Sequence, residues 1–151
     1  RCTSRGLGDV YKRQAHSASA TEFNVLNPSH PDRPVTQYNP STHSANDLYI
    51  RVNRVARNLL EDIATAARGE DIYVFTLGLG SSLTSSTGPD NEQGEDLLMR
   101  MANDPRMLDD ADLAGDFRAD QLQGVYCHAV DEEALGPCFD EMLDVIIRLT
   151  L

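Results

Sequence analysis

With 151 residues, of which 40% are hydrophobic, the chain has the size of one domain with a single core and a composition too ordinary for disorder. Its formal charge of −11, from 24 acidic and 13 basic residues, argues against a nucleic-acid binder, because phosphates call for clustered Lys and Arg. No apolar run approaches the roughly 20 residues that a membrane helix needs, so no span of the bilayer is expected.

Residues 1–14, RCTSRGLGDVYKRQ, hold Arg1, Arg5, Lys12 and Arg13, and Lys12 is the only lysine of the chain. The string resembles the translated adaptor read-through that heads metagenomic gene fragments. It is therefore expected to be a non-native leader, with a genuine basic tail as the alternative. Residues 15–46 read as irregular loop, since Pro28, Pro31, Pro34 and Pro40 among Asn, Ser and Thr break every periodicity.

A helix follows, with Asn46 or Asp47 as its expected cap. Val52, Val55, Ala56, Leu59, Leu60, Ile63, Ala64 and Ala67 form its apolar stripe. Arg51, Arg54, Arg57, Asn58, Glu61 and Asp62 lie on the other side, and we read them as a solvated face rather than a ligand-binding row. Gly69 is expected to supply the left-handed stop. Ile72 to Leu77 is then almost continuously apolar without alternation, the pattern of a strand covered on both faces of a parallel sheet.

After a loop over 80–94, GEDLLMRMAN predicts a shorter helix with Glu95 and Asp96 at its positive end and Asp104-Pro105 as its stop. Residues 106–123 are acidic and poor in hydrophobics, which predicts an exposed excursion. GVYCHAV, residues 124–130, reads as a second short strand. Asp131, Glu132 and Glu133 open the last helical segment, with Pro137 in its first turn and a stripe of Phe139, Met142, Leu143, Ile146 and Ile147. The order is helix, strand, helix, strand, helix, which belongs to an α/β fold.

The chemical motifs are incomplete. Gly78 and Gly80 begin a G-x-G without its third glycine, and more than ten loop residues separate them from the next helix. No G-K-S/T follows, so a P-loop is excluded. The run from Asp110 has Asp112 and Gly115 where a calcium loop wants them, but Ala114 and Gln121 fall on ligand positions. His16, His30, His43 and His128 show no paired metal spacing. Neither catalytic nor cofactor-binding residues emerge.

Cys127 and Cys138 are more informative. They fall in the last strand and the start of the last helix, two elements that should pack together. A disulfide between them is expected, with two buried free thiols as the alternative.

DIYVFTLGLGSSLTSSTGPDNEQGEDLLMRMANDP and, later, GVYCHAVDEEALGPCFDEMLDVIIRLT together resemble the C-terminal half of the von Willebrand factor A-type domain. More narrowly, they look like the form carried by tight-adherence (Flp-type) pilus assembly proteins. The positions that carry the resemblance are Leu77–Gly80, Asp96–Pro105, Gly124–Ala129 and Arg148–Thr150. It covers about residues 46–151.

The resemblance implies an α/β, Rossmann-like fold: a parallel sheet flanked by helices, present over 47–151 as a C-terminal fragment with the sheet incomplete. It implies a non-catalytic binding or scaffold role in the bacterial envelope, toward other pilus-assembly or envelope proteins. Such domains hold a divalent cation through D-x-S-x-S, a later threonine and a T-D-G-like turn. No D-x-S-x-S occurs here and all three elements are expected upstream, so no metal residue is carried over, and Mg²⁺ would belong to the complete domain. Anchoring by an N-terminal segment, with the domain periplasmic or otherwise extracytoplasmic, is implied as well. The rival readings are a metal-dependent adhesin module of the same fold and a small α/β enzyme that takes an anionic ligand at residues 78–88.

Overall fold

The computed structural model describes residues 33–35 and 41–150. The expected leader over 1–14 and most of the 15–46 loop lie outside the described residues. Two compact units divide the chain, residues 1–59 and residues 60–151, and the long helix α1 (Ala45–Gly69) runs through the division.

In the first unit, α1 is started by a reciprocal cap. The Asp47 N–H donates to Ser44 Oγ at 3.3 Å, while the Asp47 carboxylate accepts from both the N–H and the hydroxyl of Ser44 at 2.7 Å. The Ser44 carbonyl already accepts the first helical bond, from the Leu48 N–H. Ser44 is therefore the cap, and Asp47 is its partner one turn in rather than the cap itself.

The face that α1 buries in this unit also departs from expectation. Leu48 and Val55 are buried, but so are Arg51 at 7% exposure and Asn58 at 2%. The reason is hydrogen bonding to an extended neighbour: Asn58 Nδ2 donates to the Arg33 carbonyl and Arg54 Nη1 to the Pro34 carbonyl. Residues taken as a solvated face are thus partly a docking face for residues 33–35.

In the second unit, the end of α1 is closed by a six-to-one bond from the Ile72 N–H to the Ala67 carbonyl and a tighter one from the Asp71 N–H to Arg68. This is a Schellman closure. Its left-handed residue is Asp71, with φ 59°, so Gly69 is the last helical residue and does not supply the left-handed turn. Ala64 is buried, whereas Leu60 and Ile63 of the expected stripe are exposed.

The rest is a mixed α/β arrangement around a small parallel sheet. β1 (Thr76–Leu79) pairs with β4 (Tyr126–Ala129) in parallel, Thr76 opposite Tyr126 and Leu79 opposite Ala129. Between them lie a hairpin of two-residue strands, β2 (Ser86–Thr87) and β3 (Glu92–Gln93), helix α2 (Gly94–Ala102) and three short 3₁₀ turns. Helix α3 (Leu135–Thr150) follows β4.

Alternation assigns the two faces of the sheet. Thr76, Gly78, Tyr126 and His128 share one face, and α2 covers it, with Thr76 Oγ1 donating to the Leu98 carbonyl at 2.8 Å. Leu77, Leu79, Cys127 and Ala129 share the other face, over which α3 is fastened at Cys127. A Cβ on Gly124 would lie 1.9 Å from the Val74 carbonyl oxygen, so only glycine lets the approach to β1 cross there.

Two expectations are corrected in this unit. The 106–123 excursion contributes Met107, fully buried, and Leu113, 4% exposed, to the core, although its acidic residues do face solvent. The stripe of α3 is largely uncovered: Phe139, Leu143, Ile146 and Ile147 are 42–54% exposed, and Cys138 is the buried residue of the helix.

Candidate functional site

The 78–88 loop was the place to look for a bound anion. Gly78 is buried, and a Cβ there would lie 2.6 Å from Leu83 and 2.8 Å from the Tyr126 hydroxyl. Gly80, with φ 93°, turns the chain, and its N–H donates to the Ala129 carbonyl at 2.8 Å. Its own carbonyl lies 2.9 Å from His128 Nε2. The glycines therefore serve close packing and strand pairing.

The start of α2, which would have to receive a phosphate, instead carries Glu95 and Asp96. Burial first, and then the charge of Glu95, hold the Asp96 carboxyl above its ordinary range, with Asp110 and Asp112 adding to it against a hydrogen bond from Gln93. Negative charge concentrated there repels an anion.

The polar chemistry of this unit lies at the other end of α2. Asn103 is left-handed, with φ 55°, and ends the helix. Its side chain donates to the Arg118 and Leu122 carbonyls at 2.8 and 3.2 Å and accepts from the Arg118 N–H at 2.9 Å. One asparagine thus staples the acidic excursion back onto the unit, which is why Met107 and Leu113 can be core residues.

Next to it, Asp104 is 1% exposed and holds Arg106 through two side-chain bonds of 2.9 and 2.6 Å. The same carboxylate accepts from the Arg106 N–H and from the Tyr126 N–H at 2.8 Å. Arg106 in turn donates to the Tyr126 carbonyl. Burial alone would raise the Asp104 carboxyl, but the bonds from Arg106 and Tyr126 and the guanidinium charge outweigh it, so it titrates below its ordinary value.

Two further arginines clamp α2. Arg68, 4% exposed, donates to the Met101 and Arg100 carbonyls, to Gln121 Oε1 and to Thr65 Oγ1. A cation at the carbonyl end of a helix is favourably placed. Arg100 pairs with Glu61 at 2.7 Å and with Glu92.

Cys127 and Cys138 are joined by a disulfide, with their Cα atoms 5.5 Å apart. In the first unit, a recess of about 240 Å³ is lined by Pro34, His43, Asp47, Arg51 and Arg54, among others. Asp47 is committed to its cap with Ser44, and Arg54 to the Pro34 carbonyl. Among the described residues no group of three His, Cys, Asp or Glu side chains is placed to hold a metal ion. No helix among them is long and apolar enough to cross a membrane.

Arg106 and buried Arg68 are residues that sequence reasoning passed over, and it read Asn103 and Asp104 only as the end and stop of α2, without their bonds. The D-P-R spacing carried a signal, since an aspartate before Pro can cap the following turn and meet an arginine two residues on. Comparison with family models, with curated proteins and with solved structures found no match to this chain. The arrangement can bind and brace.

Proposed function

We propose that the chain is the closing stretch of a von Willebrand A-like domain and serves as a non-catalytic binding or scaffold module in the assembly of Flp-type pili. The observation that supports this most is the succession β1–α2–β4–α3, in which a crossover helix joins two parallel strands and a terminal helix returns over the sheet. The residues of the sequence resemblance also acquire roles in one place: Asn103, Asp104 and Gly124 meet at the junction of α2, β1 and β4. A disulfide suits an extracytoplasmic setting. Partners would be other envelope proteins, and any Mg²⁺ site would belong to upstream sequence.

The test is to sequence the source DNA upstream of Ala15 and then delete the gene. We expect a continuous reading frame with a membrane helix and a T-D-G turn, and loss of pili in the deletion strain. An intact gene that starts at residues 1–14, or unchanged piliation, would sink the proposal.

A further inference from the structure

Residues 80–89, GSSLTSSTGP, carry no charged side chain, in a chain of which 25% of the residues are charged. Burial accounts for missing charge where β1 packs, but not in this loop. Ser81, Ser82, Thr84, Ser85, Ser86 and Thr87 are all exposed, so six of the seven residues 81–87 present hydroxyls to solvent. The seventh, Leu83, is the anchor. A Cβ on Gly78 would lie 2.6 Å from its side chain and one on Gly94 2.7 Å, so Leu83 is wedged between β1 and the start of α2.

The hydroxyls are held in place but little used. Ser81–Thr84 is a 3₁₀ turn in which Thr84 Oγ1 donates to the Ser81 carbonyl at 3.0 Å, and β2 pairs with β3 directly after it. Among the described residues the hydroxyls of Ser81, Ser82, Ser85 and Ser86 have no hydrogen-bond partner. Bonding the nearby backbone is the ordinary task of Ser and Thr in turns, and here it is mostly not performed. Exposed, unbonded hydroxyls on an anchored loop are available to a transferase. Charge decides which group suits them. A phosphoryl group adds close to two negative charges, and Thr87 stands directly opposite Glu92, with Asp90, Glu95 and Asp96 near it in sequence. Arg100 is already paired with Glu61 and Glu92. A neutral sugar meets no such repulsion, and Ser/Thr-rich stretches with proline are a composition that carries O-linked sugars.

We propose that residues 81–87 are an O-glycosylation site, whose hydroxyls accept neutral sugars from an activated sugar diphosphate. In the transfer the hydroxyl oxygen attacks the anomeric carbon and forms the new C–O bond. The bond from that carbon to the diphosphate breaks, its electron pair leaves with the diphosphate, and the hydroxyl proton passes to a base of the transferase. Leu83 keeps its place in the wedge, so the sugars project from a fixed platform beside β1. The proposal stands apart from the pilus-assembly reading, since it uses only the chemistry of this loop.

Mass spectrometry of the protein purified from its source organism tests it. The intact mass should exceed that of the same chain made in a host without protein glycosylation, and phosphatase should not remove the excess. Peptide mapping should place the sugar on Ser or Thr within residues 81–87. A variant with all six of these hydroxyl residues replaced by alanine, made in the source organism, should lose the excess completely. If that variant does not fold, the mapping on the parent protein decides. An intact mass equal to that of the bare chain, an excess removed by phosphatase, or sugar carried only outside residues 81–87 would each overturn the proposal.

Discussion

Asp104 and Tyr126 meet through one backbone N–H, yet they should answer mutation in opposite ways. Asp104 is buried and fully engaged, so Asp104→Asn leaves Arg106 and the Tyr126 N–H competing for one neutral acceptor. Bonds to a charged group are worth about 1.5–3 kcal/mol each, and a loss of that order is expected in urea melts. Because the folded carboxyl titrates below its ordinary value, its contribution is present above about pH 4 and disappears as pH falls through the depressed value. The acid limb of the parent stability curve should therefore be steeper than that of the variant. Parallel acid limbs would show that Asp104 is not ionised in the fold.

The Tyr126 hydroxyl is buried without a hydrogen-bond partner. Tyr126→Phe removes a desolvated group rather than a bond, so it should leave stability unchanged or raise it by up to about 1 kcal/mol. Burial, and then the charge of Glu95, push the phenol up to about 12. A raised acid stabilises the fold below its unfolded value of about 10, and that contribution is lost as pH rises toward about 12. The parent should lose stability across that interval more than the phenylalanine variant. A clear drop in stability for Tyr126→Phe at neutral pH would mean that the hydroxyl is bonded.

At the scale of elements, what could be read in the sequence was what depends on local chemistry. The Asp104-Pro105 stop, the acidic first turn of α2, the order of helices and strands and the juxtaposition of Cys127 with Cys138 all follow from neighbours in the chain. What depends on partners was harder to see. Ile72 to Leu77 reads as a six-residue strand, but Thr76–Leu79 is the part that pairs, because β4 offers four residues and no strand among the described residues pairs with the other edge of β1. Arg68 of α1 is polar by type and buried by circumstance, since the Met101 and Arg100 carbonyls, Gln121 and Thr65 take its donors. The acidic excursion was judged by its charge, while Asn103 decides its path.

The disulfide carries the element-scale prediction. Cys138 of α3 is 2% exposed, while Phe139, Leu143, Ile146 and Ile147 of the helix face solvent. Packing thus does little to hold α3, and the covalent link to Cys127 does much. A bridge closing so short a loop contributes roughly 3 kcal/mol in the chain-entropy model. Reduction, or Cys138→Ser, should lower the melting temperature and expose the amides of α3 to exchange before those of β1 and β4. Equal protection of α3 with and without dithiothreitol would show that its packing suffices.

For the whole molecule, charge is the dominant fact. At −11 per chain, any two copies repel before they meet. The Debye length falls from about 30 Å at 0.01 M salt to about 10 Å at 0.1 M, so added salt removes most of that repulsion at contact distances. The same repulsion acts between like charges within one chain, where it opposes the compact state. Arg100 pairs with Glu61 and Glu92, and these contacts are largely withdrawn from solvent, so salt screens them less than it screens exposed charges. The melting midpoint should therefore rise from low salt to about 0.3 M. A midpoint that falls with salt would mean that the ion pairs of α2 outweigh the general repulsion.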